Sequence, residues 1–492
     1  MASPDNQSLG RAKLSMTGVL AQSVGFMGPV FSVAALLPLI VGLSATGRGA
    51  GVATPLAIIV AGVGIFGAGW IIAQYAKRIH LCGSLYEYVC DGAGPRVGIV
   101  AGWVYYGAML ILGAATFLVL GGLTQSLLQT AFSIDVPWWP LALVYLVVVL
   151  VIVVIGVQFS VNAQLALVLI SSAVVLAFSL YIIFKGGHGG HSLSAKPFNP
   201  FSISGLDLLY GVLYGINMFI GFESAANLAE ETDDPKRHVP KAVLLSLTIV
   251  GVYFVITAYA QDIGFGLDGT AWKNSVFPLQ TLASGGEFGS SAFGDAVAVL
   301  IILDVLAVAI GVGVAATRGM LSMARAGRLP APLAKVHPRF YTPVGGAALL
   351  GVVSLIAIVL VRVNHGIFSL ATGEPGVLQP EWSPMFGWMA GFGGTGLALM
   401  YLVVSAAGAK GLWHEVNRVK LVIAATAGIL VSAGAVFGSF YKATSPLDTV
   451  APALGIWLVL GVIWAVFALR RQGRPDIEAP VTEAHPLTST NG

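Results

Sequence analysis

Long apolar runs recur along the whole chain, each close to the ~20 residues a helix needs to cross the ~30 Å hydrocarbon core of a bilayer. In hydrocarbon every backbone amide and carbonyl must be satisfied within the segment, so such runs fold as helices rather than as open strands. We read twelve of them, at about 17–45, 53–78, 97–123, 139–157, 162–184, 206–229, 239–261, 294–325, 344–363, 384–407, 417–440 and 449–470. The eighth is too long for a simple crossing, so its last turns are expected to project past the membrane. Only Gly156-Val157-Gln158-Phe159-Ser160 parts the fourth run from the fifth, which reads as a tight helical hairpin. Just 10% of the residues are charged, against roughly 25% in soluble proteins. The expected fold class is an all-α integral membrane protein with 12 transmembrane helices in one domain, residues 15–470.

Orientation follows from Lys and Arg. With both termini inside, 19 of the 25 basic residues fall on the inner side. Six fall outside: Arg48, Lys185, Lys196, Lys273, Arg362 and Lys442. That bias favours cytoplasmic termini and an even number of spans. It makes 1–14 a cytoplasmic segment and 471–492, with Pro475, Pro480 and Pro486, a disordered cytoplasmic tail. No cleavable signal is expected, because Met1 to Lys13 is polar and the first apolar run is too long. Cys82 and Cys90 fall on the inner side near Lys77 and Arg78, so a disulfide is not expected. No metal-ligand spacing or cofactor motif occurs, and nothing points to nucleic acid. Two short amphipathic stretches, Ser84 to Cys90 and Val276 to Ala283, are expected at the interfaces.

The spans are not uniform. The first contains Ser23-Val24-Gly25-Phe26-Met27-Gly28-Pro29 at mid-membrane, where proline removes a backbone donor and clashes with the preceding turn. The sixth is interrupted at a matching depth by Phe219-Ile220-Gly221-Phe222-Glu223. It ends in Glu230, Glu231, Asp233 and Asp234, followed by Lys236, Arg237 and Lys241. Interruptions five spans apart fit two halves inserted in opposite senses, about 15–185 and about 205–407, with the last two helices at 417–470 added. Discontinuous helices of such a 5+5 inverted repeat build solute sites in secondary transporters, and their free amides suit an anionic group. Glycine and proline are also ordinary in membrane helices, where they mark close packing.

Three stretches then carry a family resemblance. After the second span, Ala76-Lys-Arg-Ile-His-Leu-Cys-Gly-Ser-Leu-Tyr-Glu-Tyr88 is similar to a basic–Pro–Ala-Gly-Ser–Tyr–Tyr signature, with His80 and Cys82 departing from it. Gly221 to Ala242 looks like the most characteristic motif, and Thr317 to Pro330, with His337-Pro338 and Thr342-Pro343, resembles the third. The chain resembles the amino acid–polyamine–organocation superfamily of permeases over residues ~15–470. The resemblance implies ten core helices plus two, with helices 1 and 6 discontinuous, and alternating access. Many proton-coupled relatives carry a lysine in the fifth span; here none occurs before Lys185. The sodium-dependent alternative uses Ser or Thr on the eighth span, but only Val, Leu, Ala, Ile and Gly lie between Asp304 and Thr317.

Two carboxylates lie inside apolar stretches. Glu223, which belongs to the family motif, reads as a gate or proton site, or as a clasp for the broken helix. Asp304 sits in Leu300-Ile-Ile-Leu-Asp-Val-Leu-Ala-Val308, and intramembrane acids usually mark a pathway or relay. It reads as an amine site or proton carrier, or as an acid paired on a core helix. The candidate substrate-binding residues are Gly25, Phe26, Met27, Gly28, Asn217, Phe219, Ile220, Gly221, Tyr106 and Asp304, with Tyr105, Phe392 and Thr395 as softer cavity candidates. Phe219 is also a gating candidate, since by the resemblance it matches a gating aromatic. The acidic end of the sixth span reads as a solvated inner salt-bridge cluster. The expected function is secondary transport of an amino acid, proton-coupled or by exchange. A polyamine or other organic cation with Asp304 as amine site is the alternative. A transport-dead sensor or an enzyme is the third class, but no nucleophile–base pair or phosphate loop supports an enzyme.

Overall fold

The computed structural model describes residues 9, 13–42, 48–275, 277–364, 381–441, 443 and 447–471. Arg11, Val276, Lys442, Arg474 and the expected disordered tail beyond 471 lie outside the described residues.

Among the described residues, twelve helices are long and apolar enough to cross a membrane. In order they are span 1 Met16–Val41, span 2 Gly51–Ala76, span 3 Pro95–Phe132, span 4 Trp138–Ile155, span 5 Val157–Phe184 and span 6 Gly205–Glu231. They continue as span 7 Pro235–Gly264, span 8 Ser291–Arg325, span 9 Val344–Val363, span 10 Trp382–Gly411, span 11 Arg418–Phe440 and span 12 Leu447–Arg470. Among the described residues there is no sheet, only one backbone bridge between Leu14 and Thr232. The expected all-α fold of twelve spans is the one observed. The third span outruns its sequence bounds: its 38 residues would reach ~57 Å, so it must tilt or project beyond the hydrocarbon. The fourth and fifth spans turn on Gly156 alone, the helix resuming at Val157.

Spans 1, 3, 6, 8 and 10 supply much of the buried core. Exposed Val, Leu, Ile and Phe line spans 4, 9, 11 and 12, as a lipid-facing belt requires. The two stretches expected at interfaces are short helices docked into the protein. Leu85–Ala93 buries Leu85, Tyr86, Tyr88 and Val89, and Pro278–Ser284 buries Leu279, Leu282 and Ala283.

Both expected breaks are present, and each is made by a glycine. Gly28 has φ +56°, and a Cβ there would lie 2.4 Å from a Val308 methyl. Pro29 follows, with no N–H to continue the ladder. Gly221 has φ +111°, and a Cβ there would lie 2.7 Å from the Phe26 ring. Past each break the helix resumes in altered form. Ser32–Leu36 is a π turn. Pro38 cannot donate back to either Val33 or Ala34, and the Gln261 side chain of span 7 supplies a bond to the Val33 carbonyl at 2.9 Å. Phe222–Glu231 is wound as a 3₁₀ helix, a long stretch for that tighter form.

Candidate functional site

The breaks in spans 1 and 6 face each other at the core of the bundle. The Phe26 ring covers Gly221. Ser23 stitches the two spans: its hydroxyl donates to the Phe222 carbonyl at 2.7 Å and accepts from the Ala225 amide at 3.2 Å. The Ser224 hydroxyl returns a bond to the Gln22 carbonyl at 3.3 Å. Gln22 donates to the Gly311 carbonyl of span 8 at 2.9 Å and accepts from Gln164 of span 5 at 3.0 Å. One glutamine pair therefore joins spans 5, 1 and 8.

Each break carries a fully buried carboxylate. Glu223 accepts the Gly221 amide at 3.1 Å, the Tyr401 hydroxyl at 2.7 Å and the Tyr105 hydroxyl at 3.2 Å. Asp304 comes from span 8. One of its oxygens accepts the amides of Val30 at 3.0 Å and Phe31 at 2.9 Å; the other accepts the Ser171 hydroxyl of span 5 at 3.2 Å. A half-helix N-terminus carries partial positive charge and unsatisfied donors, and here a protein carboxylate meets both.

The structure brings Gly25, Phe26, Met27, Gly28, Tyr105, Ile220, Gly221, Glu223 and Asp304 into this one region. The other candidates are directed elsewhere. The Phe219 ring packs over Gly62 of span 2 and Gly251 of span 7, edge-on to Phe254 at 5.4 Å. Asn217 lies against Gly394 of span 10. Tyr106 donates to the Gly83 carbonyl at 2.7 Å, in the loop after span 2. Phe392 stacks on Trp388 at 5.7 Å, and the Thr395 hydroxyl returns to its own helix at Gly391.

Gln22, Gln164, Ser171 and Tyr401 were not singled out from sequence. The glutamines and Ser171 were visible as polar residues in apolar runs; Tyr401 gave no signal. Asp262, at the end of span 7, is also fully buried, and neither carboxylate oxygen has a hydrogen-bond partner. The sequence reading ended that span one residue short of it.

In the acidic end of span 6, Asp233, Asp234, Lys236 and Arg237 are exposed as expected, but Glu231 is not part of a solvated cluster. Glu231 and Arg318 of span 8 form a bidentate pair at 2.5 and 3.2 Å, with side chains 1% and 0% exposed. Solvent does not reach this pair because the start of span 1 closes over it: the Leu14 amide bonds the Glu231 carbonyl at 2.7 Å and the Asp233 amide bonds the Leu14 carbonyl at 3.1 Å. Glu230 bonds Arg325 at 2.9 Å and the Cys82 amide at 2.9 Å. Glu87 receives the Ser322 hydroxyl at 2.7 Å. This end of the bundle is therefore sealed. Two surface cavities, of about 750 and about 570 Å³, lie away from both breaks, the second reaching Glu231 from the loop between spans 4 and 5.

A family model described as amino acid permease matches residues 24–373. The chain belongs to the amino acid permease family. Among curated relatives, the methylthioribose transporter of Bacillus subtilis (strain 168) is 26% identical, covering 62% of this chain and 67% of the relative. The low-affinity putrescine importer PlaP of Escherichia coli (strain K12) is 24% identical, covering 62% and 66%. The branched-chain amino acid permease BcaP of B. subtilis is 24% identical, covering 63% and 69%. The matches thus span about two thirds of these relatives' lengths. Among solved structures, the Eremococcus coleocola manganese transporter aligns over 92% of this chain and 95% of its own, with TM-score 0.56 and 15% identity. That likeness supports the fold.

Proposed function

We propose that this permease is a secondary active transporter that carries amino acids or related amines across the cytoplasmic membrane by alternating access, with both termini cytoplasmic. The observation that carries the reading is the pair of facing breaks, each with a buried carboxylate. Irregular backbone at membrane depth persists only where protein covers it or where it lines a cavity, and in transporters that is where the solute binds. Gly25 to Gly28, with Ile220 and Gly221, would line the pathway, within two inverted five-span halves. The relatives' names span a thiosugar, a diamine and branched-chain amino acids, all small polar solutes.

The sealed end carries the loops richest in Lys and Arg, so it faces the cytoplasm in this assignment. Arg318–Glu231 and Arg325–Glu230 then act as an inner gate, which must open for release. Glu223 and Asp304 are the groups available to carry a proton with the solute.

The test is uptake into liposomes holding the purified full chain. Saturable uptake of labelled amino acids or amines, increased when the outside is made acidic, is the expected outcome. Uptake that ignores the pH gradient but requires solute inside would replace proton coupling with exchange. No uptake of any amino acid or amine would overturn the transporter reading.

A further inference from the structure

The free amides of the span 1 break, and the Gly221 amide of the span 6 break, already have carboxylate partners. Past the break in span 1, Pro29 has no donor and the Ser32 amide bonds the Gly28 carbonyl at 2.8 Å. That leaves the amides of Val30 and Phe31, and both converge on a single Asp304 oxygen at 3.0 and 2.9 Å. In span 6 the Gly221 amide is taken by Glu223. A carboxylate entering here would find the amides of Val30, Phe31 and Gly221 occupied and two buried acids beside it.

Nor, among the described residues, does a basic side chain bond either acid. The nearest basic side chain further along span 8 is Arg318, ~21 Å away at 1.5 Å per residue, and it is paired with Glu231. An ammonium group meets the opposite situation: carboxylates, and side-chain and backbone oxygens, without a competing positive charge.

We propose that Asp304 stands in for the carboxylate of a solute, so that this pathway takes primary amines lacking a carboxylate in preference to the matching amino acids. The inference rests on the transporter reading above and narrows its substrate class.

The experiment uses pairs that differ only in the carboxylate: putrescine with ornithine, cadaverine with lysine, and isoamylamine with leucine. Affinities are measured by calorimetry on the purified full chain, and uptake in liposomes. The amine is expected to bind at least about tenfold tighter than its acid in every pair that responds, a difference of ~1.4 kcal/mol. A smaller margin, or preference for the acid, overturns the inference while leaving the transporter reading intact. Failure of every compound to bind or be taken up overturns both.

Two variants sharpen the cause. Asp304→Ala frees the two amides and is expected to shrink the amine preference at least about tenfold. Asp304→Asn keeps an oxygen acceptor for them and is expected to retain a larger share of the preference. If Asp304→Ala folds and the amine preference is unchanged, Asp304 does not exclude the carboxylate and the inference falls. If it does not fold, the matched pairs on the unaltered chain still decide it.

Discussion

The two breaks are closed by different means. In span 6 the closing carboxylate belongs to the span itself, Glu223 reaching back to the Gly221 amide. Its other partners are hydroxyls on spans 3 and 10, which can rotate. In span 1 the closing carboxylate is Asp304, 274 and 273 residues away from the amides it holds. A break clasped from within can travel as a unit. A break clasped by a neighbour moves with that neighbour or lets go. Span 8 also grips the far end of span 6 through Arg318 and Glu231. It is thus the strut to which the second half of span 1 and the end of span 6 are tied, ~21 Å apart along one helix.

The largest expected effect tests the strut at its sealed end. Arg318→Ala leaves Glu231 as an unpaired buried charge, which typically costs about 3–5 kcal/mol. Its loss of stability, read by thermal unfolding in detergent, should exceed that of any single substitution at the two breaks. The next pair tests the contrast directly. Asp304→Ala strands two buried backbone amides, each worth about 1–3 kcal/mol, whereas Glu223→Ala strands one and leaves hydroxyls that can turn to other acceptors. Asp304→Ala should therefore unfold at the lower temperature. Equal losses would mean that the two clasps are equivalent and that span 8 has no special place.

Much of this was legible in the chain. Twelve spans follow from run length, and both breaks follow from Gly28-Pro29 and Gly221, because these residues act on backbone they belong to. The partners were not legible. Asp304 stood out as a lone acid in an apolar run, but nothing near it in sequence names Val30 or Phe31, since the pairing depends on how distant helices cross. Glu231, in the acidic end of span 6, was hidden for the same reason. The composition of that end reads as solvated, which holds for Asp233, Asp234, Lys236 and Arg237, and only the packing of Leu14 and Arg318 around Glu231 makes that one residue dry. Tyr401 is an ordinary aromatic in span 10 until the fold places its hydroxyl on Glu223.

A smaller effect separates the glycines themselves. Gly28, at φ +56°, lies in the left-handed well that other residues occasionally occupy. Gly221, at φ +111°, lies outside it, and its Cβ would press on the Phe26 ring rather than on a methyl group. Both alanine variants should lose stability, by about 1–3 kcal/mol, with Gly221→Ala the worse. If Gly28→Ala proves worse, the Val308 methyl is the tighter constraint and the span 1 break is held by packing as much as by Asp304.

The smallest effect concerns another tie to span 8, Ser322 to Glu87. Glu87 sits on the short helix Leu85–Ala93, between spans 2 and 3. Burial pushes its carboxyl above the ordinary 4.5 and nearby Glu230 adds to this, while the Ser322 hydroxyl and Arg328 oppose it. The folded protein therefore binds this proton more tightly than the unfolded chain does. Stability from this group is fully present below about 4.5, declines as pH rises toward the raised folded value, and is flat above it. Glu87→Gln, which cannot titrate, should remove that decline from a series of unfolding temperatures across the window. Arg318→Ala should leave the decline in place, because its contact is with Glu231. If Glu87→Gln leaves the pH dependence unchanged, the carboxyl is not dry in solution, and the grip of span 8 on this loop is looser than its grip on the two breaks.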